Sequence, residues 1–119
     1  MNVSAESPGD ISEIGPAEAL SRQRKGSLLL DVREDDERAA GVAAGSIGLA
    51  SGAIAQRIHE IAPDPRQEIL AICGSGRRSR LAVETLRRLG YACSVSVSGG
   101  FARWRNEGLP VEQGVLDAD

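Results

Sequence analysis

The sequence contains few of the residues on which several common architectures depend. Among its 119 residues there are two cysteines and one histidine, and tryptophan, tyrosine and phenylalanine occur once each. Two cysteines without Cys-x-x-Cys spacing and a single histidine give neither a disulfide framework nor a zinc pattern, so we expect no metal. No stretch approaches the ~18 apolar residues of a membrane span, and the first residues lack the features of a signal peptide. We therefore expect no membrane partner and a cytoplasmic, reducing location, where thiols stay free.

The composition that is present is ordinary for a globular domain. Apolar residues make up 41% of the chain, charged residues 26%, and the net charge is −3. This length can bury a core in one domain without disulfides, and we expect no nucleic-acid partner. The polar ends predict a flexible N-terminus at residues 1–10 and a tail or linker at residues 113–119, with the domain at residues 11–112 between them.

Short apolar runs alternate with helix-like stretches along the chain. The predicted strands are residues 28–32, 46–49, 68–72 and 93–97. The predicted helices are residues 14–25, 34–40, 53–61, 78–89 and 99–106. This alternation predicts an α/β fold with a mainly parallel central sheet and helices on both faces. Ligands of such sheets bind at the carboxyl ends of the strands.

The most informative feature is a cysteine at the end of a predicted strand. Residues 69–72 (ILAI) run directly into residues 73–79 (CGSGRRS), and a helix-like stretch follows. Cys73 is therefore expected over a glycine-containing loop that enters a helix N-terminus. Inward-facing backbone N–H groups and the partial positive charge of the helix start would favour the thiolate, which is the nucleophile. The candidate anion-binding residues are Gly74, Ser75, Gly76, Arg77 and Arg78.

The loop length indicates which group the loop can hold. Arg78 is the fifth residue after Cys73, which gives the pattern Cys-x4-Arg. Cysteine phosphatases need Cys-x5-Arg, but that position is Ser79, and Arg80 lies one place too late. The shorter loop encloses a smaller cradle, which suits one extra sulfur atom better than a tetrahedral phosphoryl group. A phosphatase or arsenate reductase is therefore disfavoured.

Several segments together resemble a known family. Residues 73–79 look like the Cys-x-x-Gly-x-Arg-Ser active loop of single-domain rhodaneses, which are sulfurtransferases. Residues 28–34 (LLLDVRE) are similar to the first core strand of that family. Its last strand and closing helix are matched in order by residues 89–91, 98–104 and 108–111. The resemblance runs from about Ile14 to Val111 and implies a rhodanese-like, three-layer α/β fold.

The resemblance implies sulfur transfer through a persulfide on Cys73. The donor would be thiosulfate or a persulfide donor protein, and a thiophilic acceptor would remove the sulfur in a second step. The amides of residues 74–78 would stabilise the terminal sulfur, so no cofactor is expected. Residues 51–58 (SGAIAQRI) resemble rhodanese modules fused to adenylyltransferases. An adenylyltransferase domain and a ubiquitin-like sulfur carrier are therefore expected partners.

One segment departs from the family pattern. Where the family has Gly-His-Ile-Pro-Gly-Ala, residues 41–46 read GVAAGS and lack both the histidine and the proline. This departure leaves the rigidity of the segment and the substrate preference open. It also leaves open a non-catalytic sulfur-binding or interaction module as the alternative function.

The remaining candidate residues have mainly structural interpretations. Asp31 and Arg33 are expected to form an internal pair beneath the site, with Ser79 as further structural support. Arg78 either holds the loop through carbonyls and a carboxylate or binds the anion, whereas Arg77 is expected to face outward. Cys93 is interpreted as a packed or strand-end residue, with a resolving thiol as the alternative. We also expect a solvated His59, core contacts from Phe101 and Trp104, and in Arg57 a weak candidate for substrate contact.

Overall fold

The structure is a computed structural model that describes residues 12–113. In this range the elements are β1 (Glu13–Ile14), α1 (Pro16–Arg24), β2 (Leu28–Asp31), α2 (Asp35–Ala39), β3 (Val42–Ala43), β4 (Ile47–Gly48), α3 (Ile54–Ile61), β5 (Ile69–Ile72), α4 (Arg77–Arg88), β6 (Ser94–Val97), α5 (Gly100–Asn106) and β7 (Val111–Glu112). A short 3-10 turn, Ser51–Ala53, precedes α3. The predicted flexible segment 1–10 and, apart from Gln113, the predicted tail 113–119 lie outside the described residues.

Five strands form a parallel central sheet. Their order is β1-β6-β5-β2-β4, and each adjacent pair is parallel. The mainly parallel sheet predicted from the sequence is therefore confirmed. β5 lies in the middle, between β2 and β6, and its carboxyl end is flanked by the carboxyl ends of both neighbours. This is the edge at which parallel sheets bind ligands.

Two apolar clusters cover the two faces of the sheet. Side chains alternate along β5 and beyond it, so Ile69, Ala71 and Cys73 lie in the cluster with α3 and α4. Leu70 and Ile72 lie in the opposite cluster, together with residues of α1 and α5. The alternation follows from the two-residue period of a strand. Helices on both faces are thus confirmed, and no helix in residues 12–113 is long and apolar enough to cross a membrane.

The predicted first helix begins too early. Ile14 belongs to β1, where it pairs in parallel with Val97 of β6. Gly15 is extended (φ −75°, ψ 166°), and α1 begins at Pro16, whose fixed φ suits the first helical position. A two-residue strand is too short to show a periodicity, so its pairing with β6 decides its conformation.

The segment that departs from the family pattern is held by strand pairing. β3 pairs antiparallel with β7, and the Ala44 N–H donates to the Pro110 carbonyl at 3.0 Å. The Ser46 N–H closes a turn on Ala43 at 3.1 Å, with Gly45 in the left-handed region (φ 79°). The sequence did not predict this second, two-stranded sheet. Backbone pairing fixes the segment without a proline.

Candidate active site

Cys73 follows β5 directly and lies at the carboxyl edge of the sheet. The residue is buried, with 1% of its surface exposed. Its Sγ accepts a hydrogen bond from the Gly76 N–H at 3.0 Å. Gly76 is the N-cap of α4 and takes φ 110°, a left-handed conformation that glycine adopts without strain. The short loop therefore turns an amide onto the sulfur at the positive end of a twelve-residue helix.

The environment of the sulfur favours its ionised form. Burial by itself raises the pKa of Cys73. The Ser79 hydroxyl, followed by the amides of Ser79, Gly76 and Ser75, acts in the opposite direction and brings the pKa below its ordinary value. The Ser79 Oγ lies 3.5 Å from the Sγ. A thiolate held by several N–H and O–H donors is a poised nucleophile.

Helix α5 holds the loop from outside. The carbonyl of Cys73 accepts the Phe101 N–H at 2.7 Å, and the carbonyl of Gly74 accepts the Ala102 N–H at 3.1 Å. Because these carbonyls point toward α5, the amides that follow can point toward the sulfur. The approach is close at Gly100 (φ 59°), where a Cβ would lie 2.7 Å from the Gly74 carbonyl and closer still to that of Cys73. Only glycine fits there.

Arg78 holds the other side of the loop through a carboxylate. Its Nη1 and Nη2 donate to the two oxygens of Glu37 at 2.7 and 2.8 Å. The Arg78 hydrogen bond, followed by the amide of Glu34, lowers the pKa of Glu37 to about 2. The same pairing raises the pKa of Arg78. The carboxylate contact that the sequence proposed for Arg78 is therefore observed, and the carboxylate is that of Glu37 in α2.

A buried ionic cluster lies at the end of the neighbouring strand. Arg33 Nη2 lies 2.9 Å from Asp31 Oδ2 and also donates to the Gly41 carbonyl at 2.8 Å. The Arg33 guanidinium stacks 4.4 Å from the centre of the Phe101 ring. The predicted Asp31–Arg33 pair is thus present, and it connects β2 with the segment before β3 and with α5. Arg38 Nε adds a second cation 3.3 Å from Asp31 Oδ2.

The other predicted residues occupy separate environments. Arg77 and Ser75 are exposed on the loop, as expected for Arg77. Arg57 is exposed and pairs with Glu60 of its own helix at 3.4 Å, so the structure does not bring it into the loop. His59 is exposed, and its ring meets the ring of Tyr91 edge-on at 5.8 Å. The predicted core contacts are confirmed, because Phe101 and Trp104 are both buried.

Cys93 lies far from the loop. It precedes β6 and is exposed, so the prediction of a packed residue is wrong and that of a strand-end residue is confirmed. Ser94 pairs with Ile69, which places Cys93 at the amino edge of the sheet. Cys73 is five residues further along the strand direction, roughly 16 Å at ~3.3 Å per residue. A disulfide needs Cα atoms within about 7 Å, so Cys93 does not resolve a Cys73 persulfide within this fold.

A cavity opens beside the loop. Its volume is about 220 Å³, and its lining residues are Ser51, Gly52, Arg78, Leu81, Ala82 and Thr85. Leu81 is 63% exposed, an unusual position for a large apolar side chain. A guanidinium at one wall and an apolar side chain at another are suited to a small anion with an organic portion.

Three contributing residues were not identified from the sequence. Glu37 lies 41 positions before Arg78 and Ser96 lies 17 positions after Ser79, so only the fold brings each pair together. Gly100 was predicted to open the last helix, but its contact with the loop is a tertiary feature. For Ser96 a signal exists, because the alternating SVSV of β6 places serines on a face that parallel sheets bury.

The fold and this cysteine loop together define a class of protein. The family model described as Rhodanese-like domain matches residues 15–107, a range that contains the whole loop and all the elements around it. The chain therefore belongs to the rhodanese-like domain family.

Individual members of the family are similar over most of their length. The thiosulfate sulfurtransferase GlpE of Pseudomonas entomophila is 29% identical over 97 residues, which cover 82% of this chain and 87% of GlpE. GlpE of Pseudomonas putida is 31% identical over 97 residues, or 81% and 86% of the two chains. The crystal structure of a rhodanese-related protein from Thermoplasma volcanium is 34% identical, with a TM-score of 0.75 over 86% of this chain and 98% of that one.

Proposed function

We propose that the protein is a sulfurtransferase that moves a sulfane sulfur from a donor to a thiophilic acceptor through a persulfide on Cys73. The observation that carries this proposal is the 3.0 Å hydrogen bond from the Gly76 N–H to the Cys73 Sγ. It is supported by the lowered pKa of that thiol and by the similarity to proteins named thiosulfate sulfurtransferase.

The first step is an attack on a sulfur–sulfur bond. With thiosulfate as donor, the Cys73 thiolate bonds to the outer sulfur, the donor S–S bond breaks, and sulfite leaves with the electron pair. The product is the persulfide anion Cys–S–S⁻, and the total charge is unchanged. A protein persulfide would react in the same way and release its own thiolate.

The second step regenerates the thiolate. An acceptor such as cyanide or a thiolate bonds to the terminal sulfur, and the S–S bond to Cys73 breaks. This ping-pong sequence needs no added oxidant, reductant or cofactor. Throughout the cycle, the amides of the loop from Gly74 to Arg78 stabilise the negative sulfur, as an oxyanion hole stabilises oxygen. Arg77 is exposed beside this loop and would attract an anionic donor.

The proposal extends to the biological context. The donor would be a small sulfane-sulfur compound or a persulfide protein in a reducing, cytoplasmic compartment. An adenylyltransferase domain and a ubiquitin-like sulfur carrier are the proposed partners on the acceptor side. These partners follow from the resemblance of residues 51–58 to modules of that kind.

Intact mass after incubation with thiosulfate tests the proposal. The parent protein should gain the mass of one sulfur atom, and cyanide should remove it as thiocyanate. Cys73→Ser should gain nothing, because its hydroxyl is far less ionised than a thiol, whereas Cys93→Ser should behave like the parent.

Two outcomes would contradict the proposal. A folded parent that gains no sulfur from thiosulfate or from a protein persulfide would support the non-catalytic module. Hydrolysis of aryl phosphates that Cys73→Ser removes would support a phosphatase and overturn the inference from loop length.

A further inference from the structure

Two buried serines lie on the face of β6 that packs against α4. Val95 and Val97 point toward the cluster with α1 and α5, so Ser94 and Ser96 face the other way. Both serines are fully buried. A buried hydroxyl costs about 1–3 kcal/mol unless it finds a hydrogen-bond partner. Ser94 finds one in the Tyr91 carbonyl at 2.9 Å, away from the site.

Ser96 finds its partner in the site itself. Its Oγ lies 2.7 Å from the Oγ of Ser79, which is also fully buried. Ser79 Oγ in turn lies 3.5 Å from the Cys73 Sγ and 3.2 Å from the Gly76 carbonyl. The two hydroxyls therefore form a line from the sheet to the nucleophile.

The number of protons limits which hydrogen bonds the two hydroxyls can donate at the same time. Each hydroxyl has one proton and can accept two hydrogen bonds. If Ser79 donated its proton to Ser96, that proton would not be available for a hydrogen bond to the sulfur. If Ser96 donates to Ser79, the Ser79 proton remains available for Cys73. We propose that Ser96 is a positioning residue, whose hydroxyl donates to Ser79 and thereby directs the Ser79 proton to the Cys73 thiolate.

The arrangement accommodates both states of the cysteine. In the neutral state the Cys73 thiol donates to Ser79 Oγ, and the Ser79 proton turns to the Gly76 carbonyl. On ionisation the Ser79 proton turns to the sulfur. Ser96 donates to Ser79 in both states, but its polarising effect strengthens the bond to a charged acceptor most. The role rests on the proposed function, in which this thiolate is the nucleophile.

The charged groups near the sulfur are separate from this line. Arg78 interacts with the charge of Cys73 from the loop and is itself bound to Glu37 of α2. Asp31 and Arg33 lie at the end of β2, beside β5. Ser96 is uncharged and hydrogen bonds to none of these side chains, so its removal changes the hydrogen bond and leaves the charges in place.

The test is the alkylation rate of Cys73 by iodoacetamide as a function of pH, in a Cys93→Ser background with one thiol. Ser96→Ala should move the midpoint to higher pH and slow alkylation below it about two- to threefold, because cooperativity adds only ~10–30% to a bond. Ser94→Ala is the matched control, since it removes an equally buried hydroxyl from the same strand and face. It should leave the midpoint unchanged.

Two further comparisons keep the result decisive. In a Ser79→Ala background, Ser96→Ala should have no further effect on the midpoint, because Ser96 acts through Ser79. If alanine at position 96 prevents folding, Ser96→Thr and Ser96→Val provide a pair of equal shape, of which only threonine should keep the parent midpoint.

Two experimental outcomes would contradict the role proposed for Ser96. It is overturned by an unchanged midpoint in folded Ser96→Ala, or by an equal shift in Ser94→Ala. Because alkylation needs no sulfur donor, these outcomes are independent of the proposed function. A parent that gains no sulfur from a donor would refute sulfur transfer while the alkylation profile still reported on Ser96.

Discussion

The two cysteines lie on neighbouring parallel strands at opposite edges of the same sheet. Cys73 follows β5 and is buried at the carboxyl edge, whereas Cys93 precedes β6 and is exposed at the amino edge. Helix α4 lies between them in the chain, so its N-terminus adjoins Cys73 and its C-terminus leads toward Cys93. Cys73 thus lies at the positive end of the helix dipole, whereas Cys93 only follows the other end of the helix in the chain. Position along the strand, and not the residue type, distinguishes the candidate nucleophile.

The carboxyl edge is distinctive because backbone donors gather there. After β5 the chain turns at once into α4, and the Gly76 N–H reaches the sulfur. At Cys93 the main observed contact is made by its carbonyl, which accepts the Ile69 N–H at 3.2 Å in continuation of the sheet. The backbone after Cys73 directs a donor to the cysteine side chain, whereas the backbone at Cys93 only continues the hydrogen bonding of the sheet. Variants that change the loop should therefore make Cys73 behave as a generic thiol.

Among variants that keep Cys73, the largest effect is expected from Gly100→Ala. The left-handed backbone costs a non-glycine residue ~1–2 kcal/mol, and the added Cβ would overlap the carbonyls of Cys73 and Gly74, which costs a further ~1–3 kcal/mol. The loop must shift from α5, so persulfide formation should fall on the order of 100-fold, as misplaced catalytic groups do. Unfolding in denaturant and the rate of sulfur uptake from thiosulfate measure the two effects.

Gly108→Ala is the matched control for that variant. Gly108 also has a positive φ (74°), but a Cβ there would meet no atom within 4 Å. It should lose about 1 kcal/mol of stability from backbone strain alone and keep the activity of the parent. Equal activity losses in the two variants would mean that general stability, and not contact with the loop, limits the reaction.

Features formed by contiguous residues could be predicted from the sequence, whereas contacts between distant residues could not. The Cys73 loop was predictable because strand, loop and helix start are contiguous, so a local pattern contains the whole backbone. The bond from Arg78 to Glu37 was not, because it joins residues that only the packing of α2 against the loop brings together. The same is true of Ser96 and Ser79.

The short strands were the other part of the fold that could not be predicted from the sequence. β1, β3 and β7 have two residues each, too few to show an alternation. The sequence pattern consequently predicts a helix at Ile14 and does not predict the pairing of residues 42–43 with residues 111–112. Longer elements such as α4, predicted from residue 78 and observed from Arg77, were predicted to within one or two residues.

A smaller effect is expected when the pairing between Arg78 and Glu37 is weakened. Glu37→Gln keeps the shape but loses the charge-assisted pairing, so the loop is held less firmly and persulfide formation should slow about tenfold. Arg78→Ala should have at least this effect. Arg77→Ala is the control on the neighbouring position, and its exposed side chain should matter less. A larger loss in Arg77→Ala would mean that the guanidinium binding the donor is that of Arg77 and that the Glu37 contact is secondary.

This pairing also predicts a dependence of stability on pH. The pKa of Glu37 in the fold is about 2, below its ordinary value of 4.5. The contribution is therefore fully present above about pH 4.5 and is lost as the pH falls through 2. Because both side chains are partly exposed, it should amount to only about 1 kcal/mol. The difference in unfolding free energy between parent and Glu37→Gln should shrink over this range, and a constant difference would contradict the assignment.

The smallest effect is expected in the alkylation midpoint of Cys73, compared between the folded and the unfolded protein. In Cys93→Ser the only thiol is Cys73, whose pKa the fold lowers through hydrogen bonds that outweigh burial. The midpoint of its alkylation by iodoacetamide should lie below the value of about 8.5 typical of a free cysteine, and denaturant should return it to that value. The midpoint, and not the absolute rate, is the quantity to compare, because a residue with 1% of its surface exposed also reacts slowly for lack of access. Equal midpoints in the folded and unfolded protein would show that the carboxyl edge does not activate Cys73, and the two ends of the sheet would then be chemically equivalent.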